Sequence, residues 1–336
     1  MDWFSHILMA VALAIALRRN RTVALAMAFG AMAPDLDILT APAAAVAPQL
    51  WFLDHRTFSH SILLGLPWAL LVTWTIQRPA VLGLWRRIFR LDISLPMTRV
   101  VLAPMFAGVL LHIGMDALTV QGPALLTPIS PLRVQLNLFY YTDILPLAFS
   151  SLLIVLYLWQ KGNLAQRRAV LVALIVALVV TGVWRGTALS DVRAATSADA
   201  AVPTWNPTDW WTWRTLPNGS VEVSLARAGP PGHDVGPPLF SAYFRLLQVQ
   251  GQGSPPWDIS APRARAESTL DYTSFSMNAN LIALNATQEP SGTWRLEYFD
   301  PVLMAEYRYS GTSIPFLPGD VVFRVAPDGS VTVGGP

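Results

Sequence analysis

The sequence predicts a multi-pass α-helical membrane domain of about six helices followed by a β-rich extracytoplasmic domain, and three observations carry that expectation. Of 336 residues, 53% are hydrophobic and only 13% are charged, about half the charged share of an ordinary soluble protein. The apolar residues fall almost entirely before residue 190, and the remainder is polar and contains many Pro and Gly. Arg and Lys gather in alternate short loops of the apolar half, the pattern that orients membrane helices.

Six stretches approach the roughly 20 apolar residues that a spanning helix needs: Trp3–Leu17, Thr22–Ala33, Ser61–Ile76, Arg99–Ala117, Ile144–Gln160 and Ala169–Thr187. The first two are short, and either form a hairpin that dips part-way through the bilayer or borrow flanking residues to span it. Met1–Leu17 lacks a basic leading region and carries Asp2 and His6, so it is expected as a retained helix rather than a cleaved signal. Arg18, Arg19 and Arg21, then Arg86, Arg87 and Arg90, then Lys161, Arg167 and Arg168 mark the cytoplasmic loops. Residues 34–60, 118–143 and 190–336 then lie on the outer side of the cell membrane.

The domain bounds expected are 1–188 for the membrane part, 189–204 for a linker and 205–336 for the β-rich part. Strands are expected at Val221–Leu225, Leu270–Met277, Thr293–Phe299, Ala305–Tyr309 and Val321–Val325, punctuated by Asn218-Gly219 and Asp328-Gly329. The Trp-rich run from Trp205 to Trp213 suits either the headgroup interface or the core of the domain.

Composition also excludes chemistries. A net charge of +2 with arginines at helix ends argues against a nucleic-acid surface. The absence of cysteine rules out thiolate metal sites and cysteine nucleophiles, so metal ligation falls to His, Asp and Glu.

Four of the five histidines, His6, His55, His60 and His112, stand near the outer ends of expected helices, together with Asp35, Asp37 and Asp116. The orientation was fixed from Arg and Lys alone, so this convergence on one leaflet is independent of it. His112 and Asp116, four residues apart, share a helix face and can present a nitrogen and an oxygen to one ion. Asp35 and Asp37, two apart in an extended segment after Pro34, would point the same way and grip or bridge cations. In His55-Arg56-Thr57-Phe58-Ser59-His60-Ser61, two imidazoles surround a guanidinium suited to an anionic oxygen, and Ser59 or Ser61 can cap the next helix. Each element alone has an ordinary structural reading, His112 with Asp116 as an interhelical hydrogen-bonded pair and Arg56 as a counter-ion to Asp54 or to an aspartate of the site. Ionisable groups near hydrocarbon are costly, so their convergence favours function. Asp143 reads as a helix-end charge rather than a ligand.

These motifs resemble a known family. The early His6, then Pro34-Asp35-Leu36-Asp37, then His55 to Ser61, then His112 with Asp116, Thr119 and Gly122 follow the order and spacing of the YdjM-type family of LexA-binding, inner-membrane-associated metal-dependent hydrolases. The resemblance covers about residues 1–187, and Ser59 stands where that family usually has Thr. It implies a metal-dependent hydrolase.

The expected function is therefore hydrolysis assisted by one or two divalent cations, zinc or a similar metal, held by His6, Asp35, Asp37, His55, His60, His112 and Asp116. Arg56 would stabilise developing negative charge, and Asp37 could serve as base instead of ligand. The expected partners are membrane lipids and a lipid or lipid-linked phosphoester substrate, with no nucleic acid; the partner of the β-rich domain is open. A divalent-metal transporter and a non-catalytic scaffold with a structural metal are the alternatives. Ligands on one face and the lack of repeated halves speak against the transporter.

Overall fold

The computed structural model describes the chain except for residues 1–2, 91, 141–142, 146, 150, 153–163, 230–233, 254–255, 312–319 and 335–336. The first part of the chain is helical: α1 Trp3–Ala16, α2 Arg21–Met32, α3 Ala41–Val46, α4 Gly65–Ile76, α5 Pro79–Phe89, α6 Leu102–Asp116 and α7 Leu164–Thr196. A nine-stranded, sheet-containing part follows among the described residues. The chain divides into two compact units, one of residues 1–46, 52–187 and 203–207, the other of the remainder.

Among the described residues, three helical stretches are long and apolar enough to cross a membrane, Arg21–Ala44, Arg99–Asp116 and Leu171–Thr196, so the described helices support three of the about six spans expected. At 1.5 Å per residue α1 and α4 reach only about 21 and 18 Å, short of a hydrocarbon core of about 30 Å. The expected fifth helix, Ile144–Gln160, falls largely outside the described residues. Pro79–Phe89, expected as part of a loop, is helix α5, begun by Pro79 in the first turn and ended by Arg90 in the left-handed conformation at φ 55°.

In the helical unit, α1 and α2 are joined by a four-residue turn in which Asn20 Oδ1 accepts from the Val23 N–H at 3.0 Å. The tightest packing is between α2 and α6. A Cβ at Gly30 would lie 2.0 Å from the Met105 carbonyl oxygen, and one at Gly108 would lie 2.1 Å from that of Met27. Two glycines, one on each helix, therefore let the backbones touch, as small residues do where membrane helices cross. Ala26, Phe29, Ala33, Ala69, Val72, Met105, Val109 and Ile113 fill the core around this crossing.

In the second unit, β1 Ala200–Pro203, β2 Asp209–Thr215, β3 Ser220–Arg227 and β4 Phe240–Arg245 form one sheet in that order. Asn218-Gly219, with Gly219 at φ 75°, turns β2 into β3 as expected. Arg227 grips Asp209 opposite it with bonds of 2.7 and 2.9 Å. Trp210 and Trp211 are buried, Trp210 among Ala188, Val192, Ala201, Ala226 and Ala228, while Trp205 is exposed. The Trp-rich run is thus partly domain core.

The second sheet has the order β5 Leu247–Gln250, β6 Ala283–Gln288, β7 Trp294–Phe299, β8 Asp320–Val325 and β9 Val331–Gly334, with only β5 and β6 parallel. Three helices accompany this sheet, α8 Ser260–Glu267, α9 Leu270–Asn278 and α10 Pro301–Ser310, and the last two cover segments expected as strands. Thr269 caps α9 by accepting from the Tyr272 N–H. Asp300 caps α10, Pro301 opens it and Gly311 at φ 71° closes it. Start and stop signals outweighed the β-propensity of the Tyr- and Ser-containing interiors. The expected linker 189–204 is likewise structured, as the end of α7 to Thr196 and strand β1.

Two predictions follow from these contacts. Gly108→Leu drives a side chain into the Met27 carbonyl and should lower stability by about 2 kcal/mol or more, read as a reduced thermal midpoint of the detergent-purified protein; an unchanged midpoint would refute the close crossing. Asp300 is fully buried and accepts from Asn280 N, Asn280 Nδ2 and Val302 N at 2.7, 3.2 and 2.8 Å. Burial pushes its carboxyl up to about 6, against the pull of those bonds. The folded state then holds the proton more tightly than the unfolded chain, so this contribution is full below the ordinary carboxylate range and is lost as pH rises through 6, by about 3 kcal/mol in all. Asp300→Asn should flatten that part of the pH–stability curve.

Candidate metal centre

Four segments bring the site together: the start of α1, the turn that follows α2, the segment before α4, and the last turn of α6. His6, Asp35, Asp37, His60, His112 and Asp116 are all buried, at 0 to 3% exposure. His55 is the one imidazole among them that reaches the surface, with 40% of its side chain exposed.

The α2–α6 crossing fixes the first imidazole. His112 Nδ1 lies 2.6 Å from the Ala31 carbonyl oxygen, which can only accept, so Nδ1 carries a hydrogen and Nε2 faces the cluster. His60 is oriented in the same manner: its Nδ1 sits 3.2 Å from Asp37 Oδ2 and 2.9 Å from Ser59 Oγ, leaving Nε2 inward. The two Nε2 atoms are 3.0 Å apart. His60 Nε2 is 3.6 Å from Asp35 Oδ1 and 3.2 Å from Asp116 Oδ2; His112 Nε2 is 3.5 and 3.4 Å from the same two atoms. Four donors bound to one tetrahedral zinc-sized ion, at about 2.0–2.1 Å each, would stand about 3.3 Å from one another. The observed separations bracket that value. Asp35 Oδ2 is buried without a hydrogen-bond partner, as are both ring nitrogens of His6, whose Nε2 lies 3.3 Å from Asp116 Oδ1. His6 also stacks on His112 with ring centroids 3.8 Å apart.

The sequence-based pairing of Asp35 with Asp37 is corrected. The segment Pro34–Leu39 is a 3-10 helix, not an extended strand, and at about 120° per residue positions i and i+2 diverge. Asp35 faces the Nε2 atoms, whereas Asp37 lies on the other side of the His60 ring. The oxygens of Asp37 take the His55 Nδ1 at 2.7 Å, the Arg56 N–H at 3.1 Å, the Ser59 hydroxyl and His60 Nδ1. A carboxylate so engaged orients the imidazole behind which it sits, the role such outer carboxylates play for metal-ligating histidines. Asp37, His55 and His60 do form a second group of donor residues, and the His60 nitrogen on the Asp37 side is the Nδ1 that Asp37 and Ser59 already hold.

Arg56, at φ 64°, is buried with its guanidinium spread between protein acceptors. Nη1 donates to Thr119 Oγ1, the Val120 carbonyl and the Gln121 carbonyl at 2.8, 2.9 and 3.0 Å, and Nη2 reaches Asp116 Oδ1 at 3.3 Å. Of the two counter-ions expected for it, it pairs with an aspartate of the site, Asp116, and not with Asp54. Asp54 lies 3.9 Å from Arg133, which also donates to the Gly122 and His55 carbonyls at 3.1 and 3.2 Å. Arg133 escaped the sequence reading; a lone basic residue in a loop otherwise without Lys or Arg, 118–143, was the available signal. Ser61 is spent on the Leu125 and Thr127 carbonyls rather than capping α4, whose N-terminal residue Leu64 makes no side-chain cap. Asp143 accepts from Leu145 N at 2.9 Å and pairs with Arg185 at 3.6 Å, the helix-end role expected of it.

The pocket demands positive charge. Burial pulls the His60 imidazole down, but the charge of Asp37 and hydrogen bonds to Asp116, Asp35 and Asp37 outweigh it and push it up to about 10. A divalent cation among the Nε2 atoms would supply that charge instead.

A helical, apolar domain with a buried His/Asp cluster able to hold a metal ion is thus the class of protein that fold and site define. The chain belongs to the YdjM inner membrane protein family, whose model matches residues 1–188. No curated protein matches it significantly, and no solved structure does.

The geometry separates the candidates by experiment. Elemental analysis after chelation and reloading should find His60→Ala and Asp116→Ala without metal, Asp37→Asn weakened about 10–100-fold as an outer partner, and His55→Ala still loaded. Loss of metal in His55→Ala would make His55 a ligand and move the ion toward Asp37.

Proposed function

We propose that the chain is a membrane-bound, metal-dependent hydrolase that holds zinc or a similar divalent cation between Asp35, His60, His112 and Asp116 and cleaves a lipid or lipid-linked phosphoester at the outer leaflet. The single observation that carries this reading is the set of donor separations between 3.0 and 3.6 Å in a buried pocket. The orientation rests on the arginines. Arg18, Arg19 and Arg21 flank the α1–α2 turn and Arg99 precedes α6, at the helix ends away from the cluster, so the cluster and residues 190–336 are assigned to the outside.

A cation at this site supplies Lewis acidity and activates water at neutral pH. The remaining chemistry belongs to side chains. His55, with Nδ1 held by Asp37 and its ring partly exposed, is assigned the proton transfers: it takes a proton from attacking water and returns one to the leaving oxygen. Asp37 fixes the ring instead of acting as the base itself. Arg56 positions Asp116 and the 119–121 loop, since an anion could recruit its Nη groups only by displacing their present acceptors.

One observation favours a second reading. Four protein donors closing around one ion, all buried, is also how structural zinc is held, and such an ion would clamp α2, α6 and the turns beside them. The test is to load the detergent-purified protein with Mn²⁺ and measure solvent-water relaxation, and to load it with Mn²⁺ or Zn²⁺ and measure release of phosphate esters from phospholipid substrates. A hydrolase should show an exchangeable water and turnover, with His55→Ala lowering kcat about 10²–10⁴-fold at unchanged metal content. Bound metal with no exchangeable water and no hydrolysis would leave the structural ion as the better account.

A further inference from the structure

Helix α5 is not used by the metal site, and its sequence is unlike that of a spanning helix. Val81, Leu84 and Ile88 are 37, 58 and 60% exposed, and at about 100° per residue they fall with Trp85 within an arc of about 100°. On an amphipathic helix of a soluble protein that face would point into the core. Here Val81, Leu84 and Ile88 point outward and Trp85 is half-buried beside them with its Nε1 enclosed, while Arg86 and Arg87 stand on either side of the opposite face. The helix is bracketed by Arg78, whose guanidinium lies 3.5 Å over the Trp74 ring, and by Arg90 at its left-handed end.

The charge around it is one-sided. Asp92 is the only acidic residue between Asp54 and Asp116, and it serves as a node, pairing with Arg86 at 2.9 Å and Arg21 at 3.7 Å. It thereby ties α5 to the arginine-bearing end of α2. Arg18 and Arg19 lie in the turn before Arg21, and Arg78, Arg87 and Arg90 lie on or at the ends of α5, an excess of guanidinium groups along these segments whose fork suits phosphate. Exposed aliphatic residues on one face, arginines on the other and a tryptophan in the apolar arc form the pattern of helices that lie in a membrane interface. A protein partner would have no need of the cationic flank, whereas a phospholipid surface accounts for both faces at once.

We propose that Pro79–Phe89 is an interfacial helix that seats Val81, Leu84 and Ile88 among the acyl chains of an anionic phospholipid leaflet and holds its phosphates with Arg78, Arg86, Arg87 and Arg90. This places the helix at the membrane face opposite the metal cluster, and it does not depend on hydrolysis.

The chain has no cysteine, so Leu84→Cys gives a single labelling position. The full-length labelled protein, carrying an environment-sensitive fluorophore, is placed in nanodiscs of phosphatidylcholine alone or mixed with phosphatidylglycerol. The expected result is blue-shifted emission, quenched by a lipid spin-labelled just below the headgroup and shielded from iodide, with a preference for phosphatidylglycerol. Replacing Arg86 and Arg87 with Gln should weaken that preference about fivefold per arginine, with metal content unchanged as the control for folding. Emission that stays water-like and iodide-quenched in both lipids would overturn the proposal, as would a blue shift that depends on protein copies per disc rather than on lipid.

Discussion

Three carboxylates, Asp35, Asp37 and Asp116, are buried together at 3% exposure or less, and the helical unit is organised around neutralising them. An isolated ionised carboxylate in an apolar interior costs several kcal/mol even after relaxation. Each of the three meets that cost differently. Asp37 is saturated by donors from the His55–His60 segment. Asp116 has the guanidinium of Arg56 and the ring of His6. Asp35 has only the two Nε2 atoms at 3.5 and 3.6 Å and keeps one oxygen without a partner. The deficit of positive charge is therefore local, and it lies on the side of the Nε2 atoms.

Delivering the fourth segment to that place depends on backbone contact. Gly30 and Gly108 let α2 and α6 approach until the Ala31 carbonyl can accept from His112. One turn later the same two helices deliver Asp35 and Asp116. Gly122 performs a comparable service in the loop after α6, where a Cβ would meet the Val134 carbonyl at 1.9 Å. With the chain packed so closely there, the Thr119, Val120 and Gln121 acceptors come within reach of Arg56. The site is thus a consequence of two close backbone approaches, with the polar side chains completing what they begin.

Much of this was legible in sequence because an apolar chain makes ionisable residues conspicuous. His6, Asp35, His60, His112 and Asp116 stood out against a background of Ala, Leu and Val, and the structure brings all five together. What failed was local geometry. Nothing in Pro-Asp-Leu-Asp separates an extended segment from a 3-10 turn, yet that choice sends Asp37 to the far side of His60. Helices α9 and α10 cover segments whose alternation of apolar and polar residues suggests strands, whereas Thr269, Asp300, Pro301 and Gly311 set their ends. Among the described residues fewer stretches qualify as spans than apolarity suggests for a related reason: α1 and α4 are apolar enough to cross but too short, and hydropathy does not register the turn that ends a helix.

The two sides of His60 also bear on how many ions the cluster can hold. A single ion needs only the inward Nε2 lone pairs of His60 and His112, both of which the outer hydrogen bonds set free. A second ion among Asp37, His55 and His60 would need His60 Nδ1, which must then give up its hydrogen and the bonds to Asp37 and Ser59. It would also have to compete with the Arg56 N–H and the Ser59 hydroxyl for Asp37. Those same bonds hold His60 in place for the first ion, so occupying the second position would loosen the first. The geometry therefore favours one ion, with Asp37 as the support behind it and His55 as the only imidazole of the group open to solvent.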